Sequence, residues 1–276
     1  MVRLTWIRNY ASEWIMAAIA LFFAIPAYIA VTNSFKTAKE TADSPYSLPS
    51  NFSFDNYIGV FQTIDMWNIF KNSVLITVTI LLIMILLSSM AAYTLQRITN
   101  KWTSVVYLLF MAGMMIPPQT LYIPIVKLLK AMGLAQSFPG LFLFYIGLYM
   151  PFCIFLYTGF MKSVPRELDE SAKIDGCGAF ATFWRIVFPL LQPCTVTVII
   201  FVAMWTWNDF VNPFIILGSQ KGETITLAFY GFISQYNTSW NHAFAGMIVT
   251  SLPAIVLFAV MQKQFISGIA SGAVKG

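Results

Sequence analysis

Apolar residues run through this chain in long blocks separated by short polar intervals. Six blocks approach the ~20 residues that a helix needs to cross a hydrocarbon core. They are Trp14–Thr32, Asn72–Leu95, Trp102–Ile125, Phe138–Met161, Cys194–Leu217 and Ala243–Met261. The pattern predicts an all-α membrane protein with six transmembrane helices. Arg3 and Arg8 precede the first block, as in a signal peptide. Glu13 interrupts that flank, the apolar run is long for a signal, and no small-residue cleavage site follows, so the block is expected to stay as helix 1.

Two polar intervals stand out. Asn33–Asn68 contains Pro45, Leu48-Pro49 and Asp55-Asn56-Tyr57, and reads as an irregular, turn-rich loop. The interval from about Lys162 to Pro193 is charged and has helical features. Pro165 suits the first position of a helix, and Glu167, Asp169 and Glu170 follow where the positive end of the helix dipole favours acids. Asp169 and Lys173 stand at i,i+4, the spacing of an ion pair. Gly176 and Gly178 permit a reversal with positive φ. Phe180, Phe183, Trp184 and Val187 then form one apolar stripe that would hold a second, amphipathic helix against the membrane helices, and Pro189 and Pro193 would end it. Within the third block, Pro117-Pro118 removes two backbone donors and predicts a bend or break. A break at membrane depth fits a cavity lined by protein or water, and equally a kink for packing.

Composition supports the bilayer as solvent. The 276 residues are 58% hydrophobic and 10% charged, against about 25% charged in soluble domains. The net charge of +5 is scattered over loops, without a polybasic run, so no nucleic-acid partner is expected. With the N-terminus cytoplasmic, ten of the 16 Lys and Arg residues fall inside: Arg3, Arg8, Arg97, Lys101, Lys162, Arg166, Lys173, Arg185, Lys263 and Lys275. Lys36, Lys39, Lys71, Lys127, Lys130 and Lys221 fall outside. This bias places both termini and the 162–193 interval in the cytoplasm. Cys153, Cys177 and Cys194 lack metal spacing and read as small apolar fillers. Asn51-Phe52-Ser53 and Asn237-Thr238-Ser239 fit the glycosylation pattern, which is short enough to arise by chance.

Candidate chemistry is sparse. Asp209 is the clearest carboxylate inside a block, about 24 Å along a helix that starts near Pro193. Trp205, Asn208, Asp209 and Asn212 fall near one face of that helix, and Gln119 and Tyr122 follow the prolines. Indole faces stack on sugar rings, and amides and carboxylates bind hydroxyls, so these residues are candidates for a substrate path. The alternatives are an interfacial tryptophan belt and an Asp209 paired with another helix. His242 reads as a surface cap at an external helix end, and a lone histidine makes no metal site. No Gly-x-x-x-x-Gly-Lys-Ser/Thr segment, His-Glu-x-x-His or Gly-x-Ser-x-Gly is present, so no catalytic residue is assigned. A self-contained ion-coupled transporter would be expected to carry more intramembrane carboxylates or inverted repeats.

Glu170, Ala172, Gly176, Ile186 and Pro189 carry the spacing of the "EAA" loop of ATP-binding-cassette (ABC) importer permeases. Ser171 and Phe188 depart mildly, standing where that family usually has Ala and Leu. Ser34-Phe35-Lys36-Thr37, Leu48-Pro49, Asn56-Tyr57, Trp207-Asn208-Asp209 and the ending Ser271-Gly272-Ala273-Val274-Lys275-Gly276 extend the likeness over nearly the whole chain. The sequence resembles the maltose-type, G-like permease subunit of carbohydrate importers. The resemblance implies a type I ABC importer permease fold in a single domain, residues 1–276. Helix 1 (about 14–32) would be an anchor, the core helices would span about 72–261, the coupling loop about 162–193, and a cytoplasmic tail 262–276. It implies a second permease subunit, two ATPase subunits holding ATP and Mg, and an extracytoplasmic sugar-binding protein, all at a bacterial cytoplasmic membrane. Glu170, Ala172, Asp175, Gly176, Ile186 and Pro189 would then couple to an ATPase, and this chain would hold no cofactor.

Overall fold

The computed structural model is all-helical, and it describes the backbone of residues 2–63, 65–218, 224–235 and 240–273. Lys221, Asn237-Thr238-Ser239 and Val274-Lys275-Gly276 lie outside the described residues, as do the side chains of Arg3, Arg8 and Lys263. The helices are α1 (Val2–Ser34), α2 (Ala38–Asp43), α3 (Asp55–Thr63), α4 (Met66–Arg97), α5 (Lys101–Met114), α6 (Pro118–Ala131), α7 (Phe138–Met161) and α8 (Glu167–Ile174). Then come α9 (Ala179–Thr182), a π-helical turn (Phe183–Val187), α10 (Phe188–Leu190), α11 (Gln192–Asn208), α12 (Val211–Leu217), α13 (Ile225–Gln235) and α14 (Trp240–Ala273). Residues group into two compact units: Met1–Met66 with Ala228–Pro253, and Trp67–Leu227 with Ala254–Gly276.

Among the described residues, three helices are long and apolar enough to cross a membrane: Glu13–Ser34 within α1, and the whole of α4 and α7. Two bent pairs raise the number to five if each is one span: α5 with α6, at 105°, and Ala179–Leu190 with α11, at 77°. The sixth apolar block lies inside α14. Asn100 starts α5 with a capping box shared with Thr103. Pro117 is extended (φ −61°, ψ 126°) and Pro118 opens α6, so the expected break falls at the two prolines.

The first unit corrects the expected irregular loop. Asn33–Asn68 contains α2 and α3, tied together by buried polar side chains. Asn33 Nδ2 donates to the carbonyl oxygens of Ile29 and Pro45, each at 2.8 Å. The buried Lys36 donates from Nζ to the Ser44 carbonyl, also at 2.8 Å. Asn56 Nδ2 donates to Ser34 O and Lys36 O, and its Oδ1 accepts from Asn241 Nδ2 at 2.6 Å. Buried amides replace the water that an irregular backbone would otherwise need. His242 is half-buried in the first turn of α14, its Nε2 3.1 Å from where a Cβ on Gly59 would sit, so it packs on α3 rather than capping the surface.

The second unit is built around α7, with the buried faces of α4, α11 and α12 packed in one cluster. Tyr145, Tyr149, Cys153 and Tyr157 recur every four residues on the buried face of α7. Two of their hydroxyls cross to later segments: Tyr145 donates to Asp209 Oδ2 at 2.8 Å and Tyr157 to Thr195 Oγ1 at 3.0 Å. Cys153 and Cys194 are buried free thiols within the apolar cluster, as expected of fillers, while Cys177 is half-buried. The turn into α7 requires Gly140, where a Cβ would collide with the Leu134 carbonyl oxygen.

Candidate functional site

The interval between α7 and α11 folds as a short helix, a turn and a second helical segment. Arg166 is the N-cap of α8 and Pro165 lies before it, not at the first helical position as expected. Glu167, Asp169 and Glu170 occupy the first turn. The inner face of α8 carries Leu168, Asp169 and Ala172, which are buried or half-buried. The outer face carries Glu170, Lys173 and Ile174, and Ile174 is 87% exposed. Gly176 closes the helix at φ +79°, with its N–H bonded to Lys173 O at 3.0 Å. A side chain at that backbone angle strains the chain by about 1–2 kcal/mol, so glycine has a physical reason to be here. Gly178 has φ −72° and needs no glycine conformation.

Asp169 departs from expectation. Its partner is not Lys173 but Arg97, the last residue of α4, with Nη2 2.8 Å from Oδ2. Tyr93 donates to Asp169 Oδ1 at 2.6 Å. Arg97 also donates to Val164 O at 3.3 Å, and Arg166 donates back to Gln96 O at 2.8 Å. The side chains of Arg97 and Asp169 are 13% and 10% exposed. Removing one member of so buried a pair strands the other, at a cost of about 3–5 kcal/mol. No local spacing announces this pair, because its partners lie 72 residues apart in the chain.

Beyond the turn, Phe183 and Val187 are buried and Trp184 is half-buried, but Phe180 is 68% exposed and does not hold the loop inward. The second segment is not a uniform α-helix. Phe183–Val187 form a π turn in which the Phe188 N–H reaches Phe183 O. Pro189 explains the wider turn: it has no N–H for the carbonyl four residues back, and its ring crowds that carbonyl. Pro189 therefore sits inside the helical segment, at its α10 end, and the chain bends at Leu191. Ile186 is half-buried and Pro189 exposed, while Glu170, Asp175 and Gly176 are exposed together around the end of α8.

The second candidate group centres on Asp209. The expected continuous helix stops at Asn208, Asp209 is extended (ψ 124°), and α12 starts at Val211. Trp205, Asn208, Asp209 and Asn212 therefore do not share one helix face. Asp209 Oδ1 accepts from the Asn212 N–H at 3.2 Å and Oδ2 from Asn212 Nδ2 at 2.6 Å. With Tyr145 also donating to Oδ2, the carboxylate is held from two elements. Tyr122 donates to Asn212 Oδ1 at 3.0 Å, and Thr226 donates to the Asp209 carbonyl at 2.6 Å. The structure thus joins Tyr122, Asn212 and Asp209 in one network and adds Tyr145 and Thr226, which the sequence reading missed. Their signal lay only in three-dimensional proximity.

Asn208 is exposed and bonds back to Met204 O at 2.9 Å, and Gln119 is exposed in the first turn of α6. Trp205 is 38% exposed and packs on Phe152 and Phe201. It lines an open apolar cavity of about 680 Å³ beside the α5–α6 break, together with Gly113, Pro118, Leu143, Tyr149 and Phe152. Tyr122, Asn208, Asp209, Asn212 and Gln119 are not among its lining residues. The cavity has the size and apolar walls of a small-ligand site, with one indole placed for stacking. No group of three or more metal-ligating side chains occurs among the described residues.

The family described as "binding-protein-dependent transport system inner membrane component" matches residues 84–271. The chain is 36% identical over 270 residues to the probable starch degradation products transport system permease protein AmyC of Thermoanaerobacterium thermosulfurigenes, covering 98% of each chain. It is 37% identical over 261 residues to the melibiose/raffinose/stachyose import permease protein MelC of Bacillus subtilis, covering 94% of each. Among solved structures, it shares its fold with a chain of a bacterial ABC transporter involved in import of the acidic polysaccharide alginate, at TM-score 0.78 and 20% identity over 93% of this chain and 96% of that one. The alginate transporter in complex with an alginate pentasaccharide-bound periplasmic protein matches at TM-score 0.69 and 17% identity, over 94% and 96%. Similar nearly end to end to sugar-transport permeases, the chain belongs to the binding-protein-dependent transport system inner membrane component family.

Proposed function

We propose that this chain is one permease subunit of an ATP-driven sugar importer. It contributes half of a translocation path, works by alternating access and receives ATPase motion through α8. The observation that carries the coupling role is the division of α8. Its inner face is locked to α4 through Asp169, while Glu170, Ile174, Asp175 and the Gly176 turn are presented outward. An exposed apolar residue flanked by acids, on a helix held rigidly from behind, suits docking into a partner protein. The sugar substrate rests on the likeness to AmyC and MelC, whose names give starch degradation products and melibiose/raffinose/stachyose as their cargo.

In this reading the chain crosses the membrane six times with both termini cytoplasmic, the bent α5–α6 pair and α11 each belonging to a span and α14 supplying the last. A second permease subunit completes the path, two ATPase subunits hold ATP and Mg, and an extracytoplasmic binding protein delivers sugar. The chain itself hydrolyses nothing. Trp205, Asn208, Asp209, Asn212, Gln119 and Tyr122 remain the proposed substrate path, with Trp205 in the apolar cavity and the Asp209 network beside the break. Family membership favours this reading over a self-contained ion-coupled transporter.

Gly176→Val and Glu170→Lys test the docking role. Both variants are expected at near-normal abundance in the membrane, yet to lose co-purification of the ATPase or the coupling of its hydrolysis to sugar uptake. Survival of both properties in both variants would remove α8 as the docking element.

A further inference from the structure

The docking face of α8 explains how force enters the chain, but not where it goes next. Three contacts tie the start of the loop to the end of α4: Arg97 with Asp169, Arg97 with Val164 O, and Arg166 with Gln96 O. The two arginines come from opposite sides, so each segment grips the other. Tyr93 reinforces the joint twice, by its hydroxyl to Asp169 and by its ring, whose centroid lies 5.2 Å from that of Phe183 in the second half of the loop. A bidirectional, buried ionic joint resists shear better than an apolar contact, because sliding strands a charge away from water.

The element on the far side of the joint is unlike its neighbours. α4 runs unbroken for 32 residues and contains neither proline nor glycine. It is a rod about 48 Å long. By contrast, α5 and α6 are broken at Pro117, α11 and α12 at Asp209, and α7 contains Pro151. At the opposite end of α4, Ser73 Oγ accepts the Ile225 N–H at 2.9 Å, and Phe70 meets Trp207 edge-on at 5.9 Å. Ile225 and Trp207 flank the Asp209 break: Thr226 donates to the Asp209 carbonyl, and Trp207 is two residues before it. One rigid helix therefore touches the loop at one end and the Asp209 break at the other.

We propose that Arg97 and Asp169 form the joint through which the loop drives α4, and that α4 carries that motion to the helix break at Asp209. The proposal rests on the docking role of α8. Arg97, Asp169 and Tyr93 are positioning residues, acting through α4 rather than on sugar. They set how much transport each ATP yields, not whether the ATPase binds.

The test uses the full importer with its own partner subunits, reconstituted in vesicles. ATPase retention, ATP turnover and uptake are measured together. Uptake is read with whichever of radiolabelled maltotriose, melibiose and raffinose the unaltered importer takes up fastest. Arg97→Glu and Asp169→Arg are each expected to retain the ATPase and its hydrolysis while uptake per ATP falls about tenfold, and the combined charge swap is expected to recover most of that loss. Asp169→Asn, close in size and mild enough to fold, is expected to lower uptake per ATP about threefold. Ser73→Val loosens the far end, and its loss should not add to that of Arg97→Glu, since both interrupt one path.

Unchanged uptake per ATP in Asp169→Asn, or a swap no better than the single changes, overturns the joint. Fully additive losses from Ser73→Val and Arg97→Glu overturn α4 as the carrier. Shedding of the ATPase by both charge variants would place Asp169 in the docking surface and also overturn the joint. Glu170→Lys and Gly176→Val separate the two ideas: if both variants keep both ATPase and uptake, the docking reading fails, whatever the Arg97 series returns.

Discussion

Among the described residues, the breaks between α5 and α6 and between α11 and α12 make an instructive pair, because they are held open differently. Between α5 and α6 the cause is covalent. Pro117 and Pro118 lack the N–H groups that would continue the helix, and the pair bends by 105°. Between α11 and α12 a proline also acts: Pro213 has no N–H for the Asp209 carbonyl four residues back, and its ring crowds that carbonyl. A tertiary network takes up the backbone and side-chain groups that this break leaves open. Tyr145, Asn212 and Thr226 all donate to Asp209, and Tyr122 steadies Asn212 from the side. Prolines fix where both breaks fall, but the second is also held open by a set of hydrogen bonds, so its geometry depends on each partner and can be rearranged when they move. The second is the better candidate for a moving part, and it is the break that α4 reaches through Ser73 and Phe70.

The largest expected effect comes from removing the centre of the second break. Asp209→Ala leaves the buried Tyr145 hydroxyl without its acceptor and frees Asn212. Stranding one such buried group costs about 1–3 kcal/mol. Sugar uptake in vesicles should fall at least about tenfold. The comparison collapses if Asp209→Ala transports normally, and loss of complex assembly instead of flux would make the network purely structural.

The covalent break offers the converse experiment. Replacing both Pro117 and Pro118 by alanine restores two backbone donors and should straighten α5 into α6, because each interior proline disfavours a helix by about 3 kcal/mol. Spin labels at Val105 and Lys127 would then report a longer separation, and uptake should fall several-fold with the loss of the cavity wall at Pro118. An unchanged distance would mean that packing, not proline, holds this bend.

A smaller effect is expected at the edge of the network. Tyr122→Phe removes one hydroxyl from Asn212, worth about 0.5–1.5 kcal/mol, and should lower the thermal unfolding temperature of the purified chain by a few degrees while the break survives. Asn208→Ala should do least to stability, within about 0.5 kcal/mol, since its exposed amide only returns to Met204 O. A rise in the KM for sugar without a change in unfolding temperature would place Asn208 on the substrate path. No change in either would leave that path to Trp205 and the apolar cavity.

Legibility followed the range of the interaction. The apolar blocks, the proline break, the acidic first turn of α8 and the positive φ of Gly176 are properties of residues and their immediate neighbours, and they were readable in order along the chain. The expected Asp169–Lys173 pair was sound by local spacing, but it lost to Arg97, which offers a drier contact than a solvated lysine on the outer face. Asn33–Asn68 reads as loop because its prolines, amides and serines suit turns. It folds into α2 and α3 because Asn33, Lys36 and Asn56 satisfy backbone groups that the local sequence leaves open. Phe180 matches the apolar stripe by period, yet the π turn after Thr182 shifts the register of the later residues and leaves it outside.

The amino-acid sequence by itself determined that this chain is helical, built for a bilayer, broken at Pro117 and turned at Gly176, because hydropathy, a missing N–H and a missing Cβ act without reference to distant residues. Only the tertiary structure decided that Arg97 grips Asp169, that Tyr145 and Thr226 hold the Asp209 break and that one unbroken helix lies between these two points. Those features join residues dozens of positions apart. Buried charges and hydroxyls far from water settle on the partners that the completed packing brings within reach.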